Sequence, residues 1–262
     1  MPNRRIVCLI LALLLVSVGF SYAQDRQVSR VQVVTITVKS GMVPQFEDYI
    51  KKVVEAANKT EASQYWGFYQ VGLGGPGNTY MVALPFSKWA ELDGWSAVPS
   101  LVTEAYGEKE GATILRSGSV AIESVETAAY ARAADLSTAP EDSPPKAFTL
   151  VTEMQVKLSK VREFTLLMSK VKTAREQLDA PESTVWTSVM GETANYVTTV
   201  GFDKHAERDG WLVGGAVVRK AYGDAEGEQL IGIFLNSVQS YRNYVLISRS
   251  DLSRPRMAMT SN

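Results

Sequence analysis

The feature that most constrains this chain is that it contains the same pattern twice. Asn78-Thr-Tyr-Met-Val-Ala-Leu-Pro-Phe-Ser-Lys-Trp-Ala-Glu-Leu-Asp-Gly-Trp95 is answered by Ala194-Asn-Tyr-Val-Thr-Thr-Val-Gly-Phe-Asp-Lys-His-Ala-Glu-Arg-Asp-Gly-Trp211. Farther on, Ala105-Tyr106-Gly107 is answered by Ala221-Tyr222-Gly223, and Asp135-Leu136-Ser137 by Asp251-Leu252-Ser253. From Tyr80 to Ser137 the offset is a constant 116 without a gap, and 18 of 58 positions are identical. Self-similarity of this kind marks a duplicated structural unit. Earlier in the chain the offset is 118, matching Val38-Lys39 with Val156-Lys157 and Phe46 with Phe164. The two missing residues are expected in the turn Gly72–Asn78, which is shorter in the second copy.

The repeat divides the chain into a first unit over 24–137, a linker over 138–147, a second unit over 148–253 and a tail over 254–262. The linker is rich in Pro and polar residues, which disfavours a core element. The tail is short and polar and is expected to be loose. Ahead of the first unit, Arg4 and Arg5 precede an apolar run from Ile6 to Val16, and Ser21-Tyr22-Ala23 supplies small residues at a cleavage position. This is the pattern of a secretory signal over 1–23. The run is short for a membrane span, which needs about 20 apolar residues, so the expectation is an exported protein, periplasmic or extracellular, with no membrane association after cleavage.

Cys8 in the leader is the single cysteine of the chain. Disulfides, thiolate metal sites and a cysteine nucleophile are therefore not expected after Ala23. Without Arg4 and Arg5 the 27 basic residues fall to 25 against 28 acidic ones, a net charge of −3. No basic block interrupts the mixture, which argues against a nucleic-acid partner.

Each unit reads as β-α-β-β-α-β. Val31–Val38 is β-branched and strand-like. Val43, Phe46, Tyr49, Ile50, Val53, Val54 and Ala57 then fall on one helical face, as do Val161, Phe164, Leu167, Met168, Val171 and Leu178. Strands are predicted over Gln64–Val71 with Thr79–Leu84, and Thr184–Met190 with Tyr196–Val200. Helical segments follow over Phe86 to about Ile122 and Phe202 to about Val238, with breaks near Pro99 and Gly107. Last strands are expected from about Val125 to Ala133 and from Tyr241 to Arg249. That order gives an antiparallel sheet with helices on one face, so the other face must be solvated or covered.

Alternation separates the faces. Val34, Ile36 and Val38, with Thr152, Met154 and Val156, are assigned to the helix side. Val31, Val33, Thr35 and Thr37, with Thr149, Val151, Glu153 and Gln155, point the other way. On the last strands Glu126, Tyr130 and Arg132, with Arg242, Tyr244 and Leu246, join that second face. It is apolar, aromatic and charged at once. Two such faces can cover each other around a polar-lined lumen.

With its strand-then-helix opening Val38-Lys39-Ser-Gly-Met-Val-Pro-Gln-Phe46, its unit length and its element order, the chain resembles the dimeric α/β-barrel superfamily. This superfamily includes antibiotic-biosynthesis-type, haem-degrading, chlorite-dismutase-like and NIPSNAP-like proteins. The resemblance implies two ferredoxin-like units whose antiparallel sheets pair into one α/β barrel. Usually two chains build that barrel; the duplication implies an intrachain pseudo-dimer.

Candidate chemistry is sparse. His205, the single histidine, stands where the first copy has Trp89. It reads either as a haem ligand or general base or as a partly exposed helix residue, and one histidine does not make a zinc site. Gly72-Leu-Gly-Gly-Pro-Gly lacks the ending of a phosphate loop and reads as a hairpin turn. The Asp-Gly-Trp and Ala-Tyr-Gly repeats read as architecture. The lumen row of the second copy is the remaining constellation: Glu153, Gln155, Arg242 and Tyr244, with Trp186 in the wall. First and last strands are neighbours in ferredoxin-like order, which places Glu153 near Arg242. The expected function is small-molecule binding or a structural role without cofactor or metal. The alternatives are a cofactor-free monooxygenase-like enzyme acting on a small aromatic or quinol-like substrate, and haem binding through His205.

Overall fold

The computed structural model describes residues 29–191, 195–212 and 214–255. The leader expected over 1–23 lies outside them. Eight strands form one closed antiparallel barrel: β1 (Arg30–Val38), β2 (Gly67–Val71), β3 (Thr79–Phe86), β4 (Ile122–Arg132), β5 (Phe148–Val156), β6 (Thr184–Met190), β7 (Tyr196–Phe202) and β8 (Val238–Ser248). The order around the ring is β1-β3-β2-β8-β5-β7-β6-β4. Each unit contributes four neighbouring strands, and the units are joined where β2 meets β8 and β4 meets β6. β4 and β8 are four antiparallel steps apart and so run parallel. The approximate twofold between the halves therefore lies along the barrel axis, and equivalent residues face one another at one level.

Four helices cover the outside: α1 (Val43–Lys59), α2 (Val98–Ala121), α3 (Val161–Gln177) and α4 (Gly215–Ser237). In α1, Phe46, Ile50, Val53 and Ala57 recur at helical spacing and are buried on the sheet with Ile36, Val38, Phe68 and Tyr80. The second half repeats this with Phe164, Leu167 and Met168 on Met154, Val156, Val185 and Tyr196. A third apolar cluster lies inside the barrel. There the second row of each first strand, Val31, Val33 and Thr35 with Thr149, Val151 and Glu153, faces inward, as alternation requires.

Several expected boundaries move. β4 and β8 begin at Ile122 and Val238, each directly after a helix, and a register shift beside Val38 and Val156 accommodates the join. The segment after Phe86 first makes a short 3₁₀ turn over Trp89–Gly94, repeated over His205–Gly210, and Pro99 sits in the first turn of α2 instead of breaking it. The Asp-Gly-Trp repeats are architectural: Trp95 meets Phe86 edge-on at 6.2 Å and Trp211 meets Phe202 at 5.6 Å. The break at Gly107 is real. Gly107 and its counterpart Gly223 interrupt their helices at φ of 77° and 80°, a conformation with little steric cost only for glycine.

The two missing residues are not both in the hairpin turn. Phe68 pairs with Val82 and Val185 with Thr198, so β2 and β6 correspond at an offset of 117. One residue is lost between α1 and β2 and one in the turn. Residue identity hides this correspondence, because Phe68 and Val185 share burial and not side-chain type.

The repeated Asp-Leu-Ser segments are exchanged between halves. Leu136 packs in the core of the second half and Leu252 in that of the first. Ser137 Oγ accepts the Val185 N–H at 2.9 Å and donates to the Ala133 carbonyl at 2.8 Å. Ser253 Oγ does the same with Phe68 N–H at 2.9 Å and the Arg249 carbonyl at 2.8 Å. Arg254, expected in a loose tail, is 8% exposed and bridges to Trp66 through both backbone groups.

The second clasp also carries charge. Arg249 donates to both Asp251 oxygens at 2.9 and 2.8 Å and to Glu47 on α1, which also accepts the Tyr80 hydroxyl at 2.7 Å. The hydrogen bonds from Arg249 hold the Glu47 and Asp251 carboxyls below their ordinary 4.5 and 3.8. Groups with depressed folded values contribute stability above their unfolded values and lose it as pH falls through the folded ones. Arg249→Met is thus expected to lose about 1 kcal/mol near neutral pH. In urea titrations its deficit against the parent should shrink below pH 4; a deficit independent of pH would contradict the assignment.

Candidate functional site

Inside the barrel lies a cavity of about 350 Å³, within the range of small-molecule sites. Its polar end is built by the second half. Glu153 on β5 stands opposite Arg242 on β8 in the ladder. Arg242 Nε donates to Glu153 Oε2 at 2.5 Å, and the Tyr244 hydroxyl donates to Oε1 at 2.5 Å. Glu153 is 7% exposed, whereas the Arg242 side chain is 60% exposed. Burial first, then the adjacent Glu153, push the Tyr244 phenol far above its usual value, so it stays protonated and a donor. The hydrogen bond to Glu153 raises Arg242 further. Trp186 lines the same cavity and its indole N–H donates to Thr199 Oγ1 at 3.3 Å.

The facing wall comes from the first half and is smaller at three of the positions that matter here. The residues equivalent to Glu153, Arg242, Tyr244 and Thr199 are Thr35, Glu126, Ala128 and Ala83, all bordering the cavity. Small residues on one wall leave the space, and large polar ones on the other give it a hydrogen-bonding end. A true homodimer with its twofold along the axis would carry every such group twice; the fused chain does not.

Of the residues singled out from sequence, Glu153, Arg242, Tyr244 and Trp186 come together here. Gln155 does not line the cavity, and its Oε1 is buried without a hydrogen-bond partner among the described residues. His205 stands on the outer surface, exposed, its ring 4.6 Å from Phe148 and 5.4 Å from Phe202. It takes the place of Trp89, which packs on Phe86 at 5.1 Å, and it is not a lumen residue. An exposed imidazole packed against two phenyl rings on the outer surface does not fit a haem ligand. Haemin is expected to give the same Soret spectrum with His205→Ala as with the parent protein; a His205-dependent shift would restore that reading. Sequence reasoning placed Thr35 and Glu126 on the inward face but missed the rest of the facing wall. Its signal was available as the small residues Ala83 and Ala128 at positions equivalent to Thr199 and Tyr244.

Among the described residues no group of three His, Cys, Asp or Glu could hold a metal ion, and no helix is long and apolar enough to cross a membrane.

The chain therefore has the dimeric α/β-barrel fold, with both halves in one polypeptide. No family profile and no curated protein sequence matches it. Among solved structures it is similar to an anthrone oxidase-like protein, at 14% identity and a TM-score of 0.51 over 86% of this chain and 92% of that one. It is also similar to a chlorite dismutase variant from Candidatus Nitrospira defluvii, at 10% identity and 0.52 over 87% and 97%. A protein of Fusobacterium nucleatum subsp. nucleatum assigned as a monooxygenase gives 12% identity and 0.52 over 84% and 92%. These likenesses are of fold; function is carried by the site.

Proposed function

We propose that the barrel lumen binds a compact, ring-bearing small molecule, with the ring in the apolar cavity and a polar group at the Glu153–Arg242–Tyr244 end. The supporting observation is a buried carboxylate at the edge of a hollow interior, opposite which Thr35, Ala83 and Ala128 stand where the second half has Glu153, Thr199 and Tyr244. A cavity of about 350 Å³ accepts a ligand of roughly two or three fused rings. 2-Naphthol is expected to bind in calorimetry with one site per chain, and Ala83→Phe, which fills the lumen, to abolish binding. Undiminished binding by a folded Ala83→Phe protein would place the ligand elsewhere.

A second reading, oxygenation of such a ligand without cofactor, is favoured by the Glu153 carboxylate beside the Tyr244 phenol inside the cavity. It is in keeping with the oxidase-like and monooxygenase names of fold neighbours. Glu153 would take a proton from an acidic C–H, and the carbanion would pass electrons to dioxygen and form a C–O bond. The hydroperoxide would then lose water, so that R₂CH₂ and O₂ give R₂C=O and H₂O. Loss of the base is expected to cost about a hundredfold or more, read as anthrone-dependent oxygen uptake in Glu153→Gln. No uptake by the parent protein would end this reading and leave ligand binding standing.

A further inference from the structure

At the polar end of the lumen two charged residues, both exposed, keep hydrogen-bonding capacity that no described protein group uses. Arg242 uses Nε for Glu153 and its guanidinium lies 5.5 Å from the centroid of the Tyr244 ring, but neither of its terminal amino groups has a hydrogen-bond partner among the described residues. Glu126 likewise has no hydrogen bond or ion pair there. The two occupy equivalent places on β4 and β8, so the twofold sets them at one level on opposite walls, and both line the cavity. Their charges interact, since Glu126 helps to keep the Arg242 guanidinium protonated. Glu153 is already served by two donors, which leaves Glu126 and the free edge of Arg242 as the charged groups offered to a ligand at this end.

A group that satisfies both must present an anion to the guanidinium and a cation to the carboxylate a short distance away, on a body that suits an apolar interior. We propose that the ligand is a zwitterionic aromatic molecule of the aromatic amino-acid class, its carboxylate on the terminal amino groups of Arg242 and its ammonium on Glu126. The inference rests on the lumen-binding reading above and adds the head group. An arginine fork suits a carboxylate because two parallel hydrogen bonds can form. The duplication supplies the opposite charge across the axis, which symmetric walls would not.

The test uses four probes with one ring: indole, indole-3-acetate, tryptamine and L-tryptophan, titrated by calorimetry into the full chain. Tryptophan is expected to bind about tenfold or more tighter than any of the other three, one charge-assisted contact being worth about that much. Glu126→Gln should remove the advantage of tryptophan over indole-3-acetate. Arg242→Lys, which keeps a positive charge beside Glu153, should remove its advantage over tryptamine. Tryptophan binding no tighter than indole, or an advantage that survives Glu126→Gln, overturns the head-group assignment while lumen binding stands. Failure of all four probes and of 2-naphthol overturns both.

Discussion

Leu252→Ala is expected to destabilise the whole chain by about 3 kcal/mol, within the roughly 2–5 kcal/mol found for fully buried leucines. Leu252 is fully buried, and the core it enters, with Ile36, Phe46, Trp66 and Phe68, belongs to the other half. The cavity cannot collapse easily. The Leu252 carbonyl is fixed by the Trp66 indole N–H at 3.1 Å, and Ser253 and Arg254 are bonded to Phe68 and Trp66 on either side. The damage is therefore expected in the half that does not contain the mutation in sequence. Leu136→Ala is the matched experiment, since Leu136 enters the second core. Because each tail completes the opposite core, both variants should still unfold in one transition by calorimetry and circular dichroism. A variant in which one half melts well before the other would show that the exchanged segments do not couple the halves.

The second large effect is expected at the ion pair in the lumen. Arg242→Ala removes one of the two donors to Glu153, leaving a buried carboxylate with Tyr244 alone. Breaking a fully buried pair costs about 3–5 kcal/mol. Arg242 is 60% exposed, so solvent screens part of that, and about 2 kcal/mol is expected. Adding Glu153→Gln should recover most of the loss, because the uncompensated charge goes with it. Urea denaturation of the two single variants and the double variant measures this as a coupling energy. If Arg242→Ala unfolds within about 0.5 kcal/mol of the parent, water serves the carboxylate and the pair does not organise the lumen.

The barrel was legible because two sequence signals agree. Alternation along Val31–Val38 and Phe148–Val156 separates a helix-facing row from an inward row, and duplication supplies a second uncovered sheet to receive the first. Adjacency of first and last strands then placed Glu153 beside Arg242, and the ladder sets them opposite. The exchanged tails were not legible. Asp135-Leu136-Ser137 and Asp251-Leu252-Ser253 announce that two segments play one role, but likeness does not say whose core each enters. His205 misled for a related reason. A lone titratable residue draws attention by its chemistry, whereas its position is set by Phe148 and Phe202, which pack equally well with an indole, as Phe86 does with Trp89. Gln155 shows the limit of alternation: it shares a row with Glu153 but lies beside the register shift that ends the regular ladder, outside the cavity wall.

The linker over 138–147 contributes to neither helix-side core; it is held at Thr138 and Ala139 by Ser183 and at Lys146 and Ala147 by Asp203. The halves are otherwise joined by strand pairing, the two traded tails and the apolar cluster inside the barrel, which takes Met81 and Tyr130 from one half and Val151 and Leu246 from the other. The linker's thermodynamic part is that of a tether, which turns a bimolecular encounter into an intramolecular one at an effective concentration on the order of millimolar. A chain nicked between Ala139 and Lys146 is thus a heterodimer in waiting: its fragments should stay together at high protein concentration and part on dilution.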